Sequence, residues 1–105
     1  MNNTEGMEEY TVEIDDFLSP IVPEFISNRR GDCALIRQLL DEGDFCEIRR
    51  LGHRMKGTGG SYGFDAISEI GEIIEDASLV TDGETICSQV QRLSDYLDRV
   101  LVVYV

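Results

Sequence analysis

The chain has 105 residues, and its nine Lys or Arg against 21 Asp or Glu give a formal net charge of −12 at pH 7. This charge argues against a nucleic-acid-binding protein and against docking on anionic lipid, because both functions need a basic surface. The length predicts one domain with a hydrophobic core, and the lack of a long apolar run or a signal-peptide pattern leads us to expect a cytoplasmic protein.

The first part of the chain predicts a flexible segment followed by short helices. Residues 1–10 are polar and acidic, so we expect them to be flexible. A short helix is predicted over residues 11–18, and the prolines that follow favour the start of another helix. Asp32 is expected to cap a further helix, because apolar residues recur after it at spacings of three and four. Gly43 is expected to end that helix.

Three further helices are predicted, each with an apolar stripe along one side. Asp44 and Asp65 are expected to cap the first two, and Thr81 or Asp82 to begin the last, whose stripe continues through Leu101. The turns are predicted at residues 43–44, 61–65 and 80–83. Four or more amphipathic helices joined by short turns predict an antiparallel helical bundle, and we expect one domain over the chain after the flexible segment.

The cysteines indicate neither a disulfide framework nor a zinc site. Cys33, Cys46 and Cys87 are odd in number, include no C-x-x-C pair and are accompanied by a single histidine. A nucleotide-binding loop is not indicated either, because the Gly-rich stretch lacks the G-x-x-x-x-G-K-[ST] pattern and follows a helical pattern where a strand is required. We therefore expect no metal and no cofactor.

The charge pattern reverses between residues 49 and 56. Four of the nine basic residues lie within these eight positions, with no acidic residue among them. They are Arg49, Arg50, Arg54 and Lys56. The same segment contains the only histidine, His53, and five of the ten glycines lie in it or just after it. An acidic protein therefore concentrates its positive charge around one histidine.

On a helix this histidine faces away from the predicted core. At about 100° per residue, Lys56, Gly57 and Gly60 lie within about 60° of His53, whereas the core stripe lies about 140–220° away. A glycine inside a helix costs up to about 1 kcal/mol relative to alanine, so repeated glycines indicate that something approaches the backbone closely. An exposed imidazole beside a cation on such a face suits a nucleophile that accepts a phosphoryl group from a large partner.

The segment HRMKGTGGSYGF, from His53 to Phe64, resembles the H-x-x-K-G-x-x-x-x-x-G signature of histidine-containing phosphotransfer (HPt) domains. The similarity extends over residues 11–105. The resemblance implies an antiparallel four-helix bundle with a short additional N-terminal helix. It also implies that His53 is phosphorylated on Nε2 and exchanges the phosphoryl group with an aspartate of a response-regulator receiver domain, in a relay fed by a sensor or hybrid histidine kinase.

The same resemblance implies roles for neighbouring residues. Lys56 would neutralise the charge of the phosphoryl group, and Gly57 and Gly60 would let the receiver approach. Glu75, 22 residues after the histidine, is by position the candidate to hydrogen-bond the ring and fix its tautomer, with Glu72 beside it.

Basic and aromatic residues are expected to form the docking surface for the receiver. They are Arg49, Arg50, Arg54 and Phe64, with Phe45 at the border. We expect a monomeric phosphohistidine carrier without kinase activity of its own, and no nucleic-acid or membrane partner.

Two other function classes stay open. A helical protein-interaction adaptor without phosphate chemistry is compatible with a bundle, although it needs neither His53 nor Lys56. A kinase or phosphatase dimerisation module also carries a histidine on helices, but it is expected to be a dimeric helical hairpin, often beside an ATPase domain. Because this chain has enough helices for a monomeric bundle, we favour the phosphorelay function over both.

Overall fold

The computed structural model describes residues 10–105, so the segment expected to be flexible lies outside the described residues except for its last residue. The described chain contains four α-helices and two short strands. They are β1 (Tyr10–Ile14), α1 (Val22–Glu42), α2 (Phe45–Ser61), α3 (Asp65–Leu79), α4 (Gly83–Arg99) and β2 (Val100–Tyr104), with a 3₁₀ turn at Asp16–Leu18. The prediction of a four-helix bundle is confirmed.

The helices pack around one apolar core. Arg30 pairs with Asp98 and Arg37 with Gln91, so α1 and α4 run antiparallel. Helix α3 packs against both α2 and α4. The removal of apolar side chains from water is the main force that holds the bundle together. The largest fully buried side chains are Phe64, Ile14, Ile36, Ile48, Met55, Ile67, Ile70, Ile74, Ile86, Leu93 and Val90.

The predicted turns between the helices are confirmed, and aspartates begin α2 and α4 as expected. Asp44 accepts a hydrogen bond from the backbone N–H of Glu47 at 3.1 Å, and Asp82 accepts one from that of Thr85 at 3.1 Å. Hydrogen bonds from the side chain and the backbone of Thr85 hold the pKa of Asp82 below its usual value. Gly43 ends α1 with φ of 71°, a conformation that glycine adopts without a Cβ clash.

Two of the predicted caps are wrong. Asp32 lies inside α1, where it forms an ion pair with Arg29 at 2.9 Å. The helix continues through this position because buried residues follow it in line with those that precede it. Asp65 is the first residue of α3, and the cap is Phe64, whose side chain makes no capping hydrogen bond. The carboxylate of Asp65 still lies in the first turn, where the helix dipole favours a negative charge.

The helix predicted over residues 11–18 is also wrong, because the first half of this segment belongs to β1, one strand of a parallel two-stranded sheet. The two strands pair in register from Tyr10 opposite Val100 to Ile14 opposite Tyr104. A buried side chain and a partly buried one alternate with exposed residues along β1, which is the two-residue period of a strand. The segment therefore joins the core as a strand, followed by a single 3₁₀ turn.

Helix α4 ends at Arg99, so the predicted continuation of its stripe through Leu101 is wrong as well. Val100 already has extended backbone angles, with φ of −70° and ψ of 131°. The residues from Val100 onward are rich in valine, whose branched Cβ favours strands. The ring of Tyr10 in β1 lies 5.2 Å from that of Tyr96 in α4, which ties the sheet to the bundle.

Replacing Ile14 with alanine should lower the free energy of unfolding by about 2–5 kcal/mol, because the loss of a fully buried side chain leaves a cavity. Urea denaturation, monitored by circular dichroism, measures the change in the free energy of unfolding. Glu13→Ala, at an exposed position of the same strand, is the matched control and should stay within about 0.5 kcal/mol of the wild type. An equally small effect of Ile14→Ala would contradict the packing of β1 on the bundle.

Candidate functional site

His53 lies near the middle of α2, on the side that faces away from the core. Its side chain is 73% exposed, which confirms the expectation from helical geometry. Ile48 and Met55, on other sides of the same helix, are buried among the remaining helices. Packing therefore fixes the backbone of the histidine, while the ring stays open to a partner.

Glu75 of α3 reaches the ring from the neighbouring helix. Its Oε2 lies 2.9 Å from Nδ1 of His53, and its side chain is only 16% exposed. An ionised carboxylate can only accept a hydrogen bond, so this contact becomes a hydrogen bond to it when Nδ1 carries the proton. In the neutral ring the lone pair then lies on Nε2, the nitrogen that does not contact the carboxylate. The contact thus favours the tautomer in which the lone pair of Nε2 is free.

Lys56 lies one helical turn after the histidine. Its Nζ is 3.7 Å from Oε2 of Glu72, and both side chains are about half exposed. Exposed ion pairs of this kind contribute at most about 1 kcal/mol to stability. The ion pair therefore holds the ammonium group only weakly. The lysine therefore offers an exposed cation one helical turn from the histidine.

A shallow hollow of about 420 Å³ lies beside the ring. Its lining combines His53 and Glu75 with the three arginines that were predicted to tune docking, Arg49, Arg50 and Arg54. All three arginines are exposed, and Arg50 also forms an ion pair with Glu47 of the preceding turn at 3.2 Å. The hollow therefore presents positive charge to an approaching anionic surface.

The glycines near the histidine form two pairs with different surroundings. A Cβ added to Gly57 would meet no atom within 4 Å, and one added to Gly60 would meet only the side chain of Ser68, at 3.7 Å. Gly52 and Gly59 instead face α3, where an added Cβ would come within 2.8 and 2.6 Å of backbone atoms. The buried pair was not predicted, although its seven-residue spacing places both glycines on one side of the helix.

Phe64 is not part of the surface. Its side chain is 0% exposed, and its ring stacks on that of Phe25 in α1, with centroids 5.3 Å apart. The prediction that it belongs to the docking surface is therefore wrong, because the turn after α2 directs the ring into the core. Phe45 is partly buried against the same core, and its place at the border of the docking surface stays a prediction.

Helix α1 contributes a groove beside α2 that the sequence did not predict. Arg29, which pairs with Asp32, also donates a hydrogen bond to the hydroxyl of Thr58 in α2 at 3.3 Å. Phe25 and Tyr62 line the same groove. Burial raises the pKa of Asp32, and the charge of its arginine partner acts against that shift. The i,i+3 spacing of Arg29 and Asp32 could have indicated their ion pair from the sequence. The contact of Arg29 with Thr58 could not be predicted in this way, because it depends on how α1 packs against α2.

Comparison with known proteins identifies a family. The family model of the Hpt domain matches residues 21–102, which is more than half of the chain and includes the histidine, the lysine and both nearby carboxylates. A search of curated proteins and a search of solved structures each found no match. Within residues 10–105, no helix combines the length and the apolar character needed to cross a membrane.

Proposed function

The chain belongs to the Hpt domain family, and from this premise we propose that His53 is the phosphoacceptor of a phosphorelay. Hpt domains are phosphocarriers in two-component signalling and not kinases, so a role in histidine phosphotransfer follows from family membership. The choice of acceptor rests on one observation, an exposed imidazole whose Nδ1 lies 2.9 Å from the carboxylate of Glu75. The proposed partners are receiver domains of response regulators and a sensor or hybrid histidine kinase.

The transfer step needs a nucleophilic nitrogen and a group that offsets the charge formed on the ring. Nε2 of His53 attacks the phosphorus of a receiver phosphoaspartate, so an N–P bond forms while the P–O bond to the aspartate breaks and its carboxylate leaves. The ring keeps its Nδ1 proton and becomes positively charged. Glu75 offsets that charge through the hydrogen bond it already accepts. The reverse step restores the neutral ring, so no proton has to be exchanged with solvent.

The cations around the ring would act on the phosphoryl group and on the receiver. Lys56 would leave Glu72 and neutralise the phosphoryl oxygens, a form of electrostatic stabilisation. The three arginines of the hollow, Arg49, Arg50 and Arg54, would face the acidic phosphorylation site of the receiver and speed productive encounters.

Gly57 and Gly60 would form the point of closest approach between the two proteins. Both lie in α2 beyond the histidine. The space above Gly57 is open, and only the side chain of Ser68 comes within 4 Å of a Cβ added to Gly60. A receiver has to bring the phosphorus of its phosphoaspartate within bonding distance of Nε2, so the helix beside the ring has to be free of bulky side chains. Their placement supports this role, and it gives a reason for glycines inside a helix despite the loss of helix propensity.

His53→Gln should abolish transfer, because glutamine keeps a polar side chain but has no nucleophilic nitrogen. The protein is incubated with phosphorylated receivers of the same organism, and acid-labile, base-stable phosphate on it is measured. Label that persists in the variant would contradict this choice of acceptor. Receiver binding by the wild type without any label would favour the alternative function, an adaptor without phosphate chemistry.

Lys56→Ala should slow phosphotransfer about tenfold, which corresponds to about 1.4 kcal/mol of transition-state stabilisation, and should leave the fold intact because the side chain is half exposed. Rapid-quench kinetics with a phosphorylated receiver measure the rate, and circular dichroism checks the fold. Glu72→Gln is the matched control, since it removes the ion pair but keeps the ammonium group, and it should transfer at least as fast as the wild type. An unaltered transfer rate in Lys56→Ala would contradict a role of this lysine in transfer and leave it a solvated surface residue.

Gly57→Leu should weaken binding of the receiver by at least about tenfold, because a branched side chain would occupy open space beside the ring. Titration calorimetry with a receiver that phosphorylates the wild type measures the affinity. Gly31→Leu provides the matched control, since Gly31 also lies inside a helix with nothing within 4 Å of an added Cβ. Equal affinities of the two variants would contradict the proposal that the receiver approaches α2 closely at Gly57.

A further inference from the structure

Helices α2 and α3 touch through their backbones, and a glycine on each helix permits the contact. A Cβ added to Gly52 would lie 2.8 Å from the backbone nitrogen of Glu75 and 2.9 Å from the carbonyl oxygen of Gly71. A Cβ added to Gly71 would lie 2.5 Å from the backbone nitrogen of Lys56 and 2.7 Å from the carbonyl oxygen of Gly52. No side-chain rotation can relieve these four contacts, because each of them is with a backbone atom of one of the two helices. A Cβ at Gly52 would also meet a side-chain atom, Cγ2 of Ile74, at 3.1 Å.

The two glycines lie level with the groups proposed to take part in transfer. Gly52 directly precedes His53 and faces the backbone of Glu75, while Gly71 faces the backbone of Lys56. The same contact therefore sets the spacing of two side-chain pairs across the helices, the histidine with its carboxylate at 2.9 Å and the lysine with its carboxylate at 3.7 Å.

We infer that Gly52 and Gly71 are positioning residues, which hold α3 close enough to α2 for Glu75 to accept the hydrogen bond from Nδ1 of His53. The inference deepens the proposed function and rests on it, because the ring tautomer affects transfer only if this histidine is the phosphoacceptor. The glycines touch neither the phosphoryl group nor the ring. They act through the distance between two helices.

The geometry leaves little tolerance for a larger residue. Ordinary contacts of a Cβ begin at 3.4 Å, so a methyl group at residue 71 must lengthen a contact of 2.5 Å to about that value. An outward movement of α3 by this amount takes the hydrogen bond of 2.9 Å past the range of about 2.7–3.2 Å typical of N–H···O bonds. The side chain of Glu75 is 16% exposed, so it has little free space in which to follow the ring.

Two other glycines are matched controls. Gly59 makes the same kind of contact, since an added Cβ would lie 2.6 Å from the backbone nitrogen of Ser68, but it lies six residues beyond the histidine. Gly31 lies inside α1 with nothing within 4 Å. Gly59→Ala therefore reports a clash between the helices away from the ring, and Gly31→Ala reports the change in helix propensity alone.

The test measures the tautomer of His53 in the unphosphorylated full chain, from the ¹⁵N chemical shifts of its ring nitrogens. The wild type should carry the neutral-ring proton on Nδ1, as should Gly31→Ala and Gly59→Ala. Gly71→Ala should shift the population toward a proton on Nε2 and should lower the phosphotransfer rate about fivefold, the factor that corresponds to a lost hydrogen bond of about 1 kcal/mol. If Gly71→Ala does not fold, Gly52→Ala tests the same contact from the other helix.

A double-mutant cycle with Glu75→Ala separates positioning from a general loss of structure. If the glycine acts through the carboxylate, Gly71→Ala should not change the tautomer further once the carboxylate is absent. A shift that persists in the Glu75→Ala background, or an unchanged tautomer in Gly71→Ala, overturns the inference. The tautomer is measured without any phosphotransfer, so this inference and the proposed function can fail separately. The proposed function fails if no receiver labels the wild type.

Discussion

The backbone contact between α2 and α3 is the constraint on which the rest of the site depends. Glycines on both helices remove the side chains that would hold the backbones apart, and the apolar residues on either side, such as Met55 and Ile74, supply the burial that keeps them together. The glycines lower helix propensity, and core packing offsets that loss. A histidine on one helix and a carboxylate on the other can then form a direct hydrogen bond at the surface.

The acidic and basic side chains are distributed unevenly over the helices. Helix α3 carries carboxylates toward both of its neighbours: Glu72 and Glu75 toward the basic face of α2, and Glu69 toward Arg92 of α4 at 2.6 Å. The cations of α2 are therefore partly compensated from one side, and the three arginines beside the ring face outward. An acidic partner is attracted to this face, while the net charge of the remaining surface disfavours other acidic proteins.

The parts of the fold that could be predicted are those whose signals are local. The aspartate before α2, the glycine that ends α1 and the apolar stripes act within a few residues, so the turns and the helical bundle were predicted correctly. The two strands were not, because β1 and β2 are stable only through pairing with each other across nearly the whole described chain. Asp32 was misread for a related reason: its residue type favours a cap, but its ion pair and the continuous core stripe keep it inside α1.

At the site, the sequence by itself determined the chemistry available and its exposure. One histidine, one lysine and a cluster of arginines share a helical face opposite the core, and helical periodicity is enough to establish that they point outward. Only the tertiary structure decided which groups meet. It brings Glu75 to Nδ1, turns the ring of Phe64 into the core and presses Gly52 against α3. These outcomes depend on the distance and rotation between helices, which side-chain packing sets and which no local pattern encodes.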